Sequence, residues 1–265
     1  MSEKFRLGGM ALANGVLVHG PNAWACAVRT PDGKLRVESD VKRFRAADVR
    51  RPFLRGPARV LEVFALLPEV RRRVPEARLP FERPAVLAAM AGGAVFTHAV
   101  RSSRRLGPAT KELIAGVASL APAAIALRGT ALAAYHGAEH ISIGTYEHGE
   151  RREKEHERCG SHLVGPLLVT MAAGNALAAK APEHMRPTAR AAASVGALAA
   201  STEAFNWMSR HPDHRLSKLL ARPGHELQHR FATAEPTPEQ LEVAEAALAA
   251  CLRLEEAADG GRDQG

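Results

Sequence analysis

The sequence predicts a mainly α-helical protein, with about four apolar helices in a membrane or bundle domain and a small antiparallel β element at the N-terminus. Three observations lead to this prediction. Residues 8–40 alternate apolar and polar side chains around turn signals, as half-buried strands do. The stretch 57–73 is amphipathic, and beyond residue 83 the chain contains long Ala-rich apolar segments that are typical of helices.

The N-terminal β element, residues 1–56, is expected to contain two or three short antiparallel strands. Turn residues in HGPN and TPDGKL separate the apolar runs and predict where the chain reverses. An amphipathic helix from about Pro57 to Arg73 follows, and with a linker it occupies residues 57–83. Such a helix lies on a protein core or on a membrane surface, and the sequence is compatible with both.

Residues 84–210 are expected to form a domain of four apolar helices with a metal-site loop at 135–162. Each apolar segment has about 15 to 18 residues, near or below the roughly 20 of a spanning helix, so membrane spans and soluble bundle helices both remain open. If all four span, the Lys and Arg bias places the N-terminal region, the metal-site loop and the C-terminal region together on the cytoplasmic side. The segments are 84–100, 113–127, 163–179 and 191–208.

The C-terminal region, residues 211–258, is predicted to be helical. Its last helix starts with a capping box, in which Thr237 and Gln240 satisfy each other's backbone N–H groups, and Pro238 occupies the first helical position. The polar, Gly-containing tail 259–265 is expected to be disordered.

The composition limits the classes of function. The net charge of +8 would suit nucleic acid or an anionic membrane surface, but aromatic residues make up only 5% and are not interleaved with the arginines, which argues against nucleic acid. Three widely spaced cysteines, Cys26, Cys159 and Cys251, form no disulfide framework and indicate a reducing compartment. The N-terminal stretch has no clear cleavage site and does not predict a signal peptide.

The residues that could carry chemistry are concentrated in YHGAEHISIGTYEHGE, residues 135–150, directly after an uncharged segment. His136, Glu139 and His140 form H-x-x-E-H, the inverted zincin pattern. On a helix, residues four apart share a face, so both imidazoles could hold one divalent ion while Glu139 polarises a bound water molecule. The alternative is that the motif is an ordinary polar helix end, because this spacing is less specific in a chain with twelve histidines.

Two histidines leave a metal with too few ligands, so another segment must contribute. Cys159 in HERCGSH, just before the third apolar segment, is a soft donor that suits zinc, and a helix N-terminus is expected to lower the pKa of its thiol. His156 and His162 flank this cysteine. Glu147 can join only if the chain turns back, because it lies about 10 Å past His140 along a continuous helix.

A second motif, HELQH at residues 225–229, matches H-E-x-x-H. Its flanks, RPG and RFATAEP, supply little apolar packing for a rigid ligand helix. We therefore interpret His225 and His229 as part of a solvated helix face. Glu203 interrupts the fourth apolar segment, where a carboxylate needs a partner in a membrane but can face water in a soluble bundle.

Several stretches come in the order seen in the bacterial YqhQ-like proteins, the domain of unknown function 1385: GGMALANGVLVHGP, PFLRG, YHGAEH with YEHGE, RCGSHL and RPGHELQHRF. The chain resembles this family over nearly its whole length, and YHGAEH with RCG is the most specific part. The resemblance implies a metal-dependent enzyme with several transmembrane helices and no assigned reaction. It also implies a site built from His136, Glu139, His140, Glu147 and Cys159. It argues against HELQH as a metal site, because relatives usually carry other residues at His225 and His229.

The chain departs from the family pattern at three positions. Relatives typically carry a glutamate where this chain has Asn14, an arginine where it has His19, and often a lysine where it has Ile141. If the family glutamate served as a metal ligand or a base, this chain would be a divergent or inactive member.

The residues and the resemblance together predict a membrane-associated metal-dependent enzyme, with zinc as the favoured metal and hydrolysis of an unidentified substrate as the reaction. His136 and His140 are expected to bind the ion, Cys159 or Glu147 to complete the ligand set, and Glu139 to act as general base. The expected location is a bacterial cytoplasmic membrane, with the lipid bilayer as partner and the site facing the cytoplasm. The alternatives are a membrane scaffold with a structural metal, or a soluble cytoplasmic basic module that binds an anionic partner.

Overall fold

The structure is a computed structural model that describes residues 4–127 and 130–260. In this part of the chain, four strands are followed by nine α-helices. The strands are β1 (Gly8–Leu12), β2 (Gly15–His19), β3 (Ala23–Arg29) and β4 (Leu35–Val41). The helices are α1 (Arg55–Arg73), α2 (Pro84–Ser102), α3 (Pro108–Ala118), α4 (Ala121–Leu127), α5 (Ala131–His148), α6 (Val164–Ala178), α7 (Arg186–Arg210), α8 (Arg215–Leu227) and α9 (Pro238–Gly260).

The four strands form one antiparallel sheet in the order β1-β2-β3-β4. HGPN connects β2 to β3, and TPDGKL connects β3 to β4 through Gly33, whose φ of +81° favours glycine. The prediction of two or three strands was too low because β1 begins with Gly8 and Gly9, which give little β signal. Both glycines are needed for space, since a Cβ at Gly8 would collide with His19 and one at Gly9 with Glu139.

The sheet is covered by helices on both faces, which gives a three-layered unit. On one face, Leu17, Trp24 and Val28 pack against Leu66 and Val70 of α1. The alternate residues of the same strands belong to a second apolar core that the sheet forms with α5 and α9. This arrangement places α5, which carries the H-x-x-E-H motif, directly on the sheet.

Helix α1 covers the sheet with one face only. It starts at Arg55, two residues before the expected Pro57. Its inner face is buried, whereas Leu61 and Phe64 on the opposite face are 63% and 61% exposed. The helix was expected to lie on the protein core or on a membrane surface. It lies on the protein core and also has an apolar outer face.

The capping box before α9 is present as predicted. Gln240 Oε1 accepts a hydrogen bond from Thr237 N at 2.9 Å, and Gln240 N donates to Thr237 Oγ1 at 3.3 Å. The helix begins at Pro238 and continues to Gly260. The expected disordered tail 259–265 therefore starts inside the helix, and residues 261–265 lie outside the described part of the chain.

Within the described residues, three helical segments are long and apolar enough to cross a membrane, so the prediction of four was one too many. The fourth segment, 191–208, is part of α7, where Ser, Thr, Asn and Glu residues lower the hydropathy. Glu203 accepts a hydrogen bond from Arg55 Nε at 2.8 Å, which supplies the partner that a carboxylate in an apolar helix needs. The three segments are Pro84–Ser102, Thr110–Leu127 and Gly160–Ala178.

These three segments present apolar side chains to their surroundings. Only 11%, 11% and 28% of their most apolar stretches are buried in the protein, and Val95, Leu113 and Leu177 are 71%, 64% and 68% exposed. Soluble domains rarely expose contiguous apolar surface of this extent. The helices are therefore compatible with a lipid environment.

Candidate metal centre

Helix α5 presents the H-x-x-E-H motif on a face turned towards the protein interior, so the predicted metal-site loop 135–162 is helical up to His148. His136 and His140 lie one turn apart, with ring centroids 4.3 Å from each other. The helix ends at Gly149, whose φ of +79° allows the chain to reverse. The following residues run back along α5 and bring Cys159 to His136, with Sγ 3.6 Å from Nε2.

Three of the four predicted ligands converge. One ligand atom from each of His136, His140 and Cys159 lies within 4.8 Å of the other two. Ligand atoms of a tetrahedral zinc ion, at about 2.0 to 2.3 Å from the metal, are about 3.5 Å apart. A small contraction of the three side chains would therefore fit this donor set to one ion.

Both imidazoles are held in the orientation that metal-binding histidines require. His136 Nδ1 lies 2.8 Å from the Ala232 carbonyl oxygen, and His140 Nδ1 lies 2.6 Å from that of Lys154. Because a carbonyl oxygen only accepts, each Nδ1 carries the proton and each Nε2 keeps its lone pair for a metal. Burial, and then the neighbouring His136, lowers the pKa of His140 to about 2, so this imidazole is in the neutral form that binds metals.

Cys159 occupies the cap position of the short turn Gly160–Leu163 that leads into α6. Its Sγ accepts a hydrogen bond from Ser161 N at 3.5 Å. The expected lowering of its pKa is wrong, because burial raises the pKa of the thiol and outweighs the bonds from Ser161. The charge of a coordinated metal ion deprotonates a thiol outright, so this position is suited to coordination more than to a free thiolate.

Glu139 is a buried carboxyl group with unused hydrogen-bonding capacity. It is 6% exposed, and its Oε2 has no hydrogen-bond partner among the described residues. Burial raises the pKa of Glu139 to about 7, with a smaller opposing effect of His136 and a smaller added one of Cys159. A carboxyl group with this pKa can take up and release a proton near neutral pH.

Glu147 is placed outside the group of three ligands. Its carboxylate accepts a hydrogen bond from His156 Nε2 at 3.1 Å and forms an ion pair with Arg158. His156 Nδ1 in turn accepts from Arg158 N at 3.2 Å, so both ring nitrogens of His156 are in use. Glu147 and His156 are thus hydrogen-bonded to each other beside the candidate centre.

Gln228 is a residue beside the candidate centre that was not predicted from the sequence. It is fully buried, and its Oε1 accepts from His156 N at 2.9 Å while its Nε2 donates to Ser161 Oγ at 2.8 Å. It therefore holds the segment that contains Cys159. The one signal in the sequence was an uncharged amide inside HELQH, whose own His225 and His229 are exposed.

The segment after α8 fixes the position of His136. It supplies the Ala232 carbonyl to that ring, and Ala234 N donates to the Ala133 carbonyl of α5 at 2.9 Å. Gly137 allows this close approach, since a Cβ there would collide with the Ala234 carbonyl oxygen. The backbone of this segment and the helix therefore position the ligand together.

The three departures from the family pattern fill packing and hydrogen-bonding roles. The Asn14 amide donates to the carbonyl oxygens of Arg29 and Glu76, both at 3.0 Å, and its Oδ1 accepts from Arg78 N at 3.0 Å. Ile141 is 5% exposed and belongs to the interior. His19 takes part in a buried polar cluster in which its Nδ1 lies 3.0 Å from Lys42 Nζ.

The fold and the site define a mainly helical protein that carries a candidate His/His/Cys centre. Residues 130–254 match the model of a family described as "Protein of unknown function (DUF1385)", which supports assigning this region to an uncharacterised family. The matched region runs from the residue before α5 into α9 and includes all five predicted site residues. No curated protein and no solved structure matches the chain.

Proposed function

We propose that the chain is a membrane-associated zinc-dependent hydrolase. The observation that supports it most strongly is the convergence of His136, His140 and Cys159, with both Nδ1 atoms bonded to backbone carbonyls, which leaves the lone pair of each Nε2 for a metal. Histidine nitrogen and cysteine sulfur are both ligands that zinc prefers, and catalytic zinc sites have three protein ligands and leave the fourth position to water or substrate. Glu147, the predicted additional ligand, is bound to His156 and Arg158 instead.

In this proposal, His136, His140 and Cys159 hold the metal, and Glu139 moves protons. Zinc, when bound in such a site, lowers the pKa of a water molecule to about 7 and polarises the bond to be cleaved. Glu139 can take the proton of an attacking water molecule because its Oε2 has no hydrogen-bond partner among the described residues and burial raises its pKa to about 7. The same carboxyl group can then donate the proton to the leaving group.

The membrane part of the proposal rests on the three apolar helical segments and the distribution of basic residues. Arg83, just before α2, donates from Nη1 to the Ala126 carbonyl near the end of α4 at 2.8 Å. The start of α2 and the end of α4 therefore lie at the same end of the helices, next to α5. The N-terminal region and the metal-site segment hold many of the Lys and Arg residues, so we place this end at the cytoplasmic face of a bacterial membrane.

The test uses full-length protein purified in detergent, loaded with one equivalent of zinc and assayed with p-nitrophenyl acetate and bis(p-nitrophenyl) phosphate. Glu139→Gln should keep the zinc and lose about 10²- to 10⁴-fold in hydrolysis, because it removes a base and no ligand. Glu157→Gln is the matched control, since this glutamate is in the neighbouring segment and its side chain is 78% exposed.

Two outcomes would contradict the proposal. Hydrolysis that is equal in the wild type, Glu139→Gln and the metal-free protein would exclude the catalytic role. X-ray absorption spectra that show four protein ligands and no bound water would favour the structural metal of a scaffold.

A further inference from the structure

A cavity that is separate from the candidate metal centre lies among the apolar helices. It has a volume of about 610 Å³ and is open on one side. Helix α2 forms one wall, the junction of α3 and α4 a second, and the first turns of α7 the third. The lining residues used below are Met90, Gly93, His98, Arg101 and Arg190.

One half of this groove is apolar and the other half is cationic. Met90 and Gly93 line the apolar half, and among the described residues a Cβ at Gly93 would meet no atom within 4 Å, so there is open space next to it. His98, Arg101 and Arg190 line the other half. A ligand that fits both halves has an anionic head and an apolar tail.

The two arginines differ in how their charges are compensated. Arg101 forms an ion pair with Glu112, with Nη2 to Oε2 at 2.9 Å, and the same carboxylate accepts from Asn175 Nδ2 at 2.6 Å. Arg190 forms no ion pair with any residue in the described ranges, and its Nε is buried without a hydrogen-bond partner there. A buried N–H donor without a partner is costly, and a partly buried charge among apolar helices needs a counter-charge, so Arg190 favours an anion from outside the chain.

The groove lies near the end of α2 that is far from the metal centre. Arg101 is about 26 Å along the helix from Pro84, where α2 begins beside α5. The connections at this far end add further basic residues, namely Arg104, Arg105, Lys180 and Arg186. This surplus of positive charge attracts an anionic lipid and disfavours a lipid that carries its own ammonium group.

We infer that this groove binds an anionic phospholipid. The phosphate oxygens accept hydrogen bonds from Arg190 and its neighbours His98 and Arg101, and the upper part of an acyl chain lies along Met90 and Gly93. A bilayer around the helices supplies such a lipid directly to the open side. The inference rests on the membrane placement in the proposed function and does not depend on the metal.

The test measures lipid binding to the detergent-purified full-length protein by native mass spectrometry and by the shift of the unfolding temperature. The probes are phosphatidylglycerol, phosphatidylcholine and inorganic phosphate. We expect phosphatidylglycerol to bind at least about tenfold more tightly than phosphatidylcholine and to raise the unfolding temperature, whereas inorganic phosphate should raise it little.

Variants locate the site. Arg190→Gln should weaken phosphatidylglycerol binding about tenfold, and Arg190→Lys should recover part of that loss because it keeps the charge. Arg222→Gln is the matched control, an exposed arginine of α8 that does not line the groove. The unfolding temperature of each lipid-free variant reports whether that variant is folded. If Arg190→Gln does not fold, His98→Gln takes its place and should weaken binding severalfold.

The inference is overturned if folded Arg190→Gln or His98→Gln binds phosphatidylglycerol as tightly as the wild type, or if phosphatidylcholine binds equally well. A phosphate-induced shift as large as that of the lipid would identify a site for a free anion instead. Protein that is monodisperse without detergent would remove the membrane placement itself. Detergent-dependent protein that binds no phosphatidylglycerol would refute the lipid site alone.

Discussion

Replacing Gly137 by alanine tests how the backbone positions the metal ligand next to it. The added methyl group would collide with the Ala234 carbonyl oxygen, so the segment after α8 must retreat by about 1 Å. That movement stretches the 2.8 Å bond from His136 to the Ala232 carbonyl and the 2.9 Å bond from Ala234 N to Ala133 beyond hydrogen-bonding distance.

The expected loss of stability follows from these contacts. Two hydrogen bonds at about 1 kcal/mol each, plus about 1 kcal/mol of overpacking, are offset by about 1 kcal/mol of helix propensity, which leaves a net loss of about 2 kcal/mol. Zinc affinity should fall about 10- to 100-fold, because His136 loses the partner that orients its ring.

The assay combines thermal unfolding of the metal-free protein in detergent with zinc titration against a competing chelator. The matched control is Gly196→Ala in α7, where the added methyl group meets no atom within 4 Å. We expect this control to gain up to about 1 kcal/mol and to keep its zinc affinity. Unchanged zinc affinity in Gly137→Ala would refute the role assigned to the Ala232 carbonyl.

Three further predictions concern the membrane, the second histidine motif and pH. Carbonate extraction should leave the full-length chain in the membrane pellet, and recovery in the soluble fraction would exclude membrane integration. Alanine at both His225 and His229 should leave the zinc content unchanged, since both side chains are exposed; loss of zinc would shift the site to HELQH. Burial, and then the charge of Lys42, lowers the pKa of His19 from 6.5 to about 3, so stability is complete above pH 6.5 and declines as the pH falls towards 3. His19 should account for about 2 kcal/mol of the stability that metal-free protein loses between pH 6.5 and 5, in addition to the loss caused by the lowered pKa of His140, so His19→Asn should lose about 2 kcal/mol less than the wild type; equal slopes would contradict a neutral, buried His19.

Local sequence patterns were sufficient to predict those features of the structure that depend only on neighbouring residues. The four-residue spacing of His136 and His140 fixes their shared helix face whatever the rest of the chain does. The capping box at Thr237 is likewise a property of four consecutive residues, and it appears as predicted. The chemistry of Cys159 pointed to zinc, but its proximity to His136 depends on the chain reversal at Gly149.

The features that were not predicted from the sequence depend on contacts between residues that are far apart in the chain. Glu147 has the chemistry of a ligand, yet the reversal at Gly149 brings Arg158 to its carboxylate and forms an ion pair. Gln228 matters because it reaches His156, which is 72 residues earlier in the chain. The thiol pKa of Cys159 depends on burial, which the cap position alone does not reveal.

Packing between the sheet and α5 also explains why too few strands were predicted. Position 9 has no strand-forming side chain because Glu139 of α5, which is far away in the sequence, occupies the space that a Cβ would need. A glycine-rich strand of this kind is recognisable only when the element packed against it is known.

The most direct test of the central claim is elemental analysis of the purified wild type and of His136→Ala, His140→Ala and Cys159→Ser, with His225→Ala as control. The wild type and the control should contain one zinc ion per chain. His136→Ala and His140→Ala should contain none, and Cys159→Ser should bind more weakly because a hydroxyl replaces a soft thiolate. One zinc per chain in both histidine variants would contradict the account, and the H-x-x-E-H motif would then be an ordinary polar helix face.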